Sequence, residues 1–150
     1  MGDKVETRTF GMSRKDVVAI DDWLEEIGAR WDTDKRMMFG ARLCIAELAA
    51  NALEHGTPVS SDDHMIVTVR SVCRRIEVEF LDSRALFDPT AAPKALRREP
   101  PDPADPTGRG LHLIHRYAEE LTYSHDGKYN RVGLTIKLAS ARRDRPPGPR

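Results

Sequence analysis

Only two cysteines, Cys44 and Cys73, occur in the 150 residues. That is too few for a disulfide framework, and their spacing matches no metal-ligand pattern. One falls on a helical segment and the other on a hairpin, so both read as reduced, buried thiols. Long apolar runs are missing as well: none approaches the roughly 20 residues a membrane-spanning helix needs, and the first residues hold no signal-peptide core. Net charge is zero, so composition offers no electrostatic argument for direct nucleic-acid or membrane contact. Aromatics are scarce at 6%, with Trp23 and Trp31 read as core or interface residues. These absences set the expectation of one cytoplasmic domain. The 39% hydrophobic and 32% charged residues suit a soluble core of ordinary size.

What is present is strongly periodic. Residues 5–10 can form a short strand. Ser13 and Asp16 form a capping box ahead of Val17, Ile20, Leu24, Ile27 and Trp31, whose spacing predicts a helix to about Arg30. Residues around Asp34 can cap a second helix reaching His55, with Gly56 as its stop. Met65–Val72 and Arg75–Leu81 alternate and lie close enough to form a hairpin. Thr107 could cap a third helix, with Leu111, Ile114, Ala118 and Leu121 on its buried face. Val132, Leu134, Ile136 and Leu138 alternate as a last strand. Helices set against a largely antiparallel sheet make an α+β layer architecture.

Between Asp88 and Thr107 the composition changes. Six of the ten prolines fall here, which marks a long loop of the kind that forms lids or connectors. Residues 141–150 are polar, proline-rich and basic, and are expected to form a disordered tail after a domain over 1–140.

Three separated segments carry chemistry. In "ELAANALEHG", Glu47, Asn51 and His55 recur every four residues and share one helical stripe. Ile45, Leu48, Ala49, Ala52 and Leu53 form the neighbouring apolar stripe. A carboxylate there can take a proton from a hydroxyl, and an amide oxygen four residues on can ligand a hard cation such as Mg²⁺. In "FLDSRALFDP", Asp82 ends an alternating strand, where its carboxylate could accept a hydrogen bond from an exocyclic amine. In "TGRGLHLI", Thr107, Gly108, Arg109, Gly110 and Leu111 join the loop to a helix start, where exposed amides and an arginine favour phosphate. His112 and His115 have no third ligand in view and are not read as a zinc site. Arg97 and Arg98 read as solvated.

In this order and spacing the three segments resemble the GHKL ATPase superfamily. More closely, they resemble the anti-sigma factor serine kinases of bacterial partner-switching modules, the RsbW and SpoIIAB type. The likeness covers roughly residues 5–138. It implies the Bergerat two-layer α/β sandwich, a mostly antiparallel mixed sheet with helices on one face. It also implies ATP with Mg²⁺ under a lid over about 89–107, and transfer of the γ-phosphoryl to serine. The implied partners are a STAS-domain anti-anti-sigma protein, a competing sigma factor and a second copy in a homodimer.

Residue by residue, the resemblance makes Glu47 the general base and Asn51 the magnesium ligand. It places His55 at the nucleotide, makes Asp82 the adenine-reading acid, and makes Gly108, Arg109, Gly110 and Leu111 the phosphate turn. Where the family usually has Asp-x-Gly, this chain has Asp82, Ser83 and Arg84. The arginine has two courses. An outward stem, the expected one, leaves Asp82 its contact and lets the guanidinium stack on the base. An inward stem would pair with Asp82, fill the adenine site and favour a binding module. Where Gly-Thr is common beside adenine, Tyr129, Asn130 and Arg131 stand, with Asn130 as a substitute polar contact. Two readings stay open: a Mg·ATP-dependent protein-serine kinase that also binds a sigma factor, and a binding module of the same fold without phosphoryl transfer.

Overall fold

The structure is a computed structural model that describes residues 2–84, 114 and 116–138. Strand β1 (Lys4–Phe10) leads into helix α1 (Arg14–Trp31). The Ser13 side chain caps α1 by accepting from the Asp16 amide, which satisfies one of the first-turn N–H groups a helix cannot bond internally. Asp32 ends α1 in the left-handed conformation at φ 50°. Asp34 then caps helix α2 (Lys35–His55), its Oδ1 accepting from the Arg36 and Met37 amides at 3.0 Å each. Both caps lie where the sequence places them.

Strands β2 (Met65–Val72) and β3 (Arg75–Asp82) form the expected hairpin. Strands β4 (Glu120–His125) and β5 (Asn130–Lys137) form a second one. The sheet order is β1-β2-β3-β5-β4, and all four pairings are antiparallel. Among the described residues no parallel pair occurs.

Alternation explains the layering. Met65, Val67, Val69, Ile76, Val78, Phe80, Val132, Leu134 and Ile136 are buried, and they occupy every second position of the three central strands. The helices lie against that face, packing Ile20, Leu24 and Ile27 of α1 and Ala41, Ile45, Ala49 and Ala52 of α2 into the same core. A buried side chain such as Leu24 or Phe80 contributes about 1.5–3 kcal/mol by leaving water. The opposite face carries Thr68, Glu77, Glu79, Thr122 and Thr135, and holds a shallow cavity of about 460 Å³. Arg42 joins the helices through a two-pronged contact with Asp21, at 2.8 Å for each arm, which holds the Asp21 carboxyl below its ordinary value.

Two expectations need correction. The third helix does not reach Leu121. Ile114, Arg116 and Tyr117 are helical, and the Ala118 amide closes a turn on the Ile114 carbonyl at 2.8 Å. By Glu120 the chain is strand, and Leu121 pairs with Leu134. Thr107 and Leu111 lie outside the described residues, as do the segment 89–107 and the tail 141–150. Cysteine burial also splits: Cys44 is buried in α2, whereas Cys73 is exposed in the β2–β3 turn. No helix among the described residues is long and apolar enough to cross a membrane.

Candidate functional site

The inward-facing rows of the sheet end in polar residues at one edge. Asp82 follows the core residue Phe80 by two positions on β3, and Asn130 precedes Val132 by two on β5. Both therefore point to the helix side, and the register pairs them directly. The row continues through Met65, the partner of Asp82 on β2, and His125, the partner of Asn130 on β4. Asp82 and Asn130 are 3% and 1% exposed. A buried carboxylate at that depth is costly without partners.

The partners gather on one oxygen. Asp82 Oδ1 accepts from Asn130 Nδ2 at 3.0 Å and from the Arg84 amide at 3.0 Å. Among the described residues no hydrogen bond reaches Oδ2. Asn130 is held in turn by the Tyr123 hydroxyl, which donates to its Oδ1 at 2.9 Å, and its Nδ2 also reaches the Arg84 carbonyl at 3.2 Å. Asn130 thus orients Asp82. Burial pushes the Asp82 carboxyl above its ordinary value, against the opposing pull of the Asn130 and Arg84 contacts.

The other candidate residues ride on α2. Glu47 and Asn51 are half-buried, and among the described residues no hydrogen bond or ion pair engages either side chain. Their stripe borders the apolar one that buries Ile45, Ala49 and Ala52, as the four-residue spacing requires. The position of Glu47 is also felt by Cys44: burial first, then the Glu47 charge, pushes that thiol up to about 12. Cys44 therefore stays protonated and unreactive at neutral pH. His55 is exposed at the end of α2 and lies 3.8 Å from Glu54. Thr107, Gly108, Arg109, Gly110 and Leu111 fall outside the described residues, as do His112 and His115.

Arg84 does not swing outward. Its side chain is only 11% exposed, and Nη1 donates to the Gly56 carbonyl at the end of α2 at 2.8 Å. Nε lies 3.4 Å from Asp63 Oδ2, an ion pair outside hydrogen-bond alignment. The guanidinium thus engages Gly56 and Asp63 and makes no hydrogen bond to Asp82. The space for it comes from Gly56: a Cβ there would lie 3.0 Å from Arg84 Cβ and Cγ, and 2.5 Å from the Ala52 carbonyl.

Sequence reasoning missed Asp63 and the corner it builds. Its Oδ2 accepts from the Val59 amide at 2.9 Å and the Ser60 amide at 3.4 Å, and the Ser83 hydroxyl donates to Oδ1 at 3.1 Å. Burial works to raise this carboxyl, but the Val59 and Ser60 amides, Ser83 and the Arg84 charge leave it below its ordinary value. Ser83 Oγ also accepts from the His64 amide at 2.9 Å, and His64 Nε2 contacts the Tyr129 hydroxyl at 2.8 Å. A cavity of about 420 Å³ opens beside this corner, lined in part by Ser60, His64, Ser83, Arg84, His125 and Lys128. A usable signal was present in "VSSDDH", where serine and aspartate spaced for side-chain-to-amide turns precede a strand.

Comparison with known proteins follows the same line. The chain matches the histidine kinase-like ATPase domain over residues 12–136. It is 27% identical over 139 residues to the serine/threonine-protein kinase BtrW of Bordetella bronchiseptica, covering 93% of this chain and 98% of that protein. The crystal structure of the RsbU and RsbW domains of Rv1364c from Mycobacterium tuberculosis has the same fold. That match has a TM-score of 0.64 at 15% identity, over 90% of this chain and 32% of the other, so this chain spans one part of a longer protein there. A match over residues 12–136 spans most of the sequence: the chain belongs to the histidine kinase-like ATPase domain family, the GHKL superfamily its motifs resemble.

Proposed function

We infer that this protein is a Mg·ATP-dependent protein-serine kinase of a partner-switching module. It would bind a sigma factor and phosphorylate a STAS-domain anti-anti-sigma protein on serine, acting as a cytoplasmic homodimer. The observation that carries this reading is the division of labour in the site. Among the described residues Asp82 keeps Oδ2 without a hydrogen bond while Oδ1 is engaged, which suits acceptance from the exocyclic amine of adenine. Glu47 and Asn51, on α2, have no side-chain hydrogen bond or ion pair among the described residues.

Among the described residues no cluster of three His, Cys, Asp or Glu could cage a metal. Mg²⁺ needs no such cage, because it takes much of its coordination from nucleotide phosphates and water, and the Asn51 amide oxygen fits the remaining place. Bound Mg·ATP would supply the γ-phosphoryl group. Glu47 would take the proton from the acceptor serine hydroxyl, and Asp82 and Asn130 would orient the base. The Thr107–Leu111 segment is assigned to the phosphates on the strength of its sequence. His55, at the helix end, is assigned to the nucleotide's periphery. An Arg84 side chain paired with Asp82 in the adenine site would favour the binding-module reading. With its guanidinium on Gly56 and Asp63 it bonds neither Asp82 oxygen through its side chain, which supports the kinase reading.

The test is transfer of label from γ-labelled ATP to STAS-domain proteins of the same genome in the presence of Mg²⁺. Label on a serine is the expected result. Glu47→Ala should reduce transfer by about 10²–10⁴-fold while ATP still binds. Transfer at the wild-type rate in that variant removes Glu47 from the chemistry. No transfer to any candidate, with ATP bound, would return the protein to the binding-module reading.

A further inference from the structure

Arg84 touches four parts of the site at once. Its amide holds Asp82 Oδ1 and its carbonyl receives Asn130, so its backbone belongs to the base-reading end of the sheet. Its side chain belongs to the helix. Nη1 meets the Gly56 carbonyl at 2.8 Å, one of the last-turn groups that α2 cannot bond internally. The positive charge sits at the negative end of the helix dipole, where a cation is favourable. Asp63, buried and held by two amides and Ser83, fixes the guanidinium from the other side. The stem lies against the bare Cα of Gly56, where any side chain would displace it.

We propose that Arg84 is a positioning residue for the nucleotide site, a brace that sets the spacing between α2, which carries Glu47 and Asn51, and Asp82 at the end of β3. The brace acts through position and does not touch the ligand. Its backbone is tied to the carboxylate that would read the base, and its side chain is tied to the helix that would hold the metal and the base catalyst. A shift of either element relative to the other must break the Gly56 contact or the Asp63 pair. Arginine suits the role because its rigid fork can engage a carbonyl and a carboxylate together, which the single ammonium of lysine does less well.

This rests on the proposal that the site binds Mg·ATP, and it yields a ligand-dependent signature. Mg·ATP spans both braced elements, whereas adenosine engages the Asp82 end alone. Loss of the brace should therefore weaken the first and spare the second. The experiment measures Mg·ATP by calorimetry and adenosine by ligand-observed NMR, against wild type, R84M, R84K, D63N and the double variant D63N/R84M. Each protein is studied well below its own melting temperature.

The expected result is about tenfold weaker Mg·ATP binding in R84M with adenosine unchanged, and an intermediate value in R84K. D63N should show a similar loss, with no further loss in the double variant, because both substitutions open one contact. Unchanged Mg·ATP binding in R84M overturns the brace. So does an equal loss for both ligands, which marks general loosening of the fold, and so does tighter binding, which marks an arginine that blocked the pocket. If R84M does not fold, R84K and D63N decide alone, and wild-type affinity in both overturns the proposal. A wild-type protein that binds neither ligand fails the nucleotide reading itself, and the brace with it.

Discussion

Two buried aspartates at the same end of the sheet have opposite environments. Asp63 and Asp82 are 8% and 3% exposed, so both left water on folding. The Asp63 corner uses both carboxylate oxygens, with two amides, a hydroxyl and a guanidinium around them, and the carboxyl sits below its ordinary value. Among the described residues the Asp82 row end offers its two hydrogen bonds to one oxygen, and burial there lifts the carboxyl above its ordinary value. A saturated carboxylate stabilises the chain that surrounds it. A half-satisfied one costs stability and retains an acceptor for something else, which is the usual signature of a functional position.

The contrast breaks most visibly at Asp63. Removing one member of a buried ion pair leaves the other charge stranded, so Asp63→Ala should cost about 3 kcal/mol. For a chain of this size that lowers the melting temperature by about 6–12 °C. Thermal unfolding checks this, and a shift below about 2 °C would show that Arg84 and the Val59 and Ser60 amides find equivalent partners in water.

Asp82→Asn should act in the reverse sense. The substitution keeps an acceptor for Asn130 and the Arg84 amide while removing the buried charge. The apo protein should melt at the same temperature or higher, and Mg·ATP should bind about 10-fold to 100-fold more weakly, the worth of a charge-assisted hydrogen bond. An unchanged affinity would remove Asp82 from base recognition.

The smallest effect, and the sharpest in sign, is the pH dependence of unfolding by urea. A lowered carboxyl binds fewer protons in the folded state than in the unfolded chain. Asp63 therefore contributes stability above its ordinary value of 3.8 that is lost as pH falls through its folded value. Asp126 behaves likewise: the Tyr129 and Lys128 amides hold it at about 2, so its share is lost between 3.8 and about 2. Asp82, being raised, contributes stability that is present below 3.8 and lost as pH rises through its folded value. The advantage of Asp82→Asn over wild type should grow from pH 4 towards pH 7, and the deficit of Asp63→Asn should shrink below pH 4. Parallel curves for all three proteins would erase the contrast.

The helices and central strands were legible because their signals are local. Ser13 and Asp34 mark helix starts through their own neighbouring amides, and alternation over 65–72, 75–81 and 132–138 places one face of the sheet in the core. The polar stripe of α2 was legible for the same reason, since spacing by four determines a face. Strand β4 was not. Leu111, Ile114, Ala118 and Leu121 suit a helix, while Leu121 and Tyr123, which pack on the core, also suit a strand. The Asp126-Gly127 turn was the cue for a strand, with Gly127 at φ 92° and Asp126 Oδ1 bonded to the Lys128 and Tyr129 amides.

The sequence by itself determined the layer architecture, the family and the candidates Glu47, Asn51 and Asp82, because periodicity and motif order are properties of neighbouring residues. Only the tertiary structure decided where Arg84 goes and what Asp63 is for. Their contacts join residues 21 and 28 positions apart, through space left open by a glycine on another element. The direction of a long flexible side chain is set by the charges and vacant volume that folding brings beside it, and neither is written next to it in the chain.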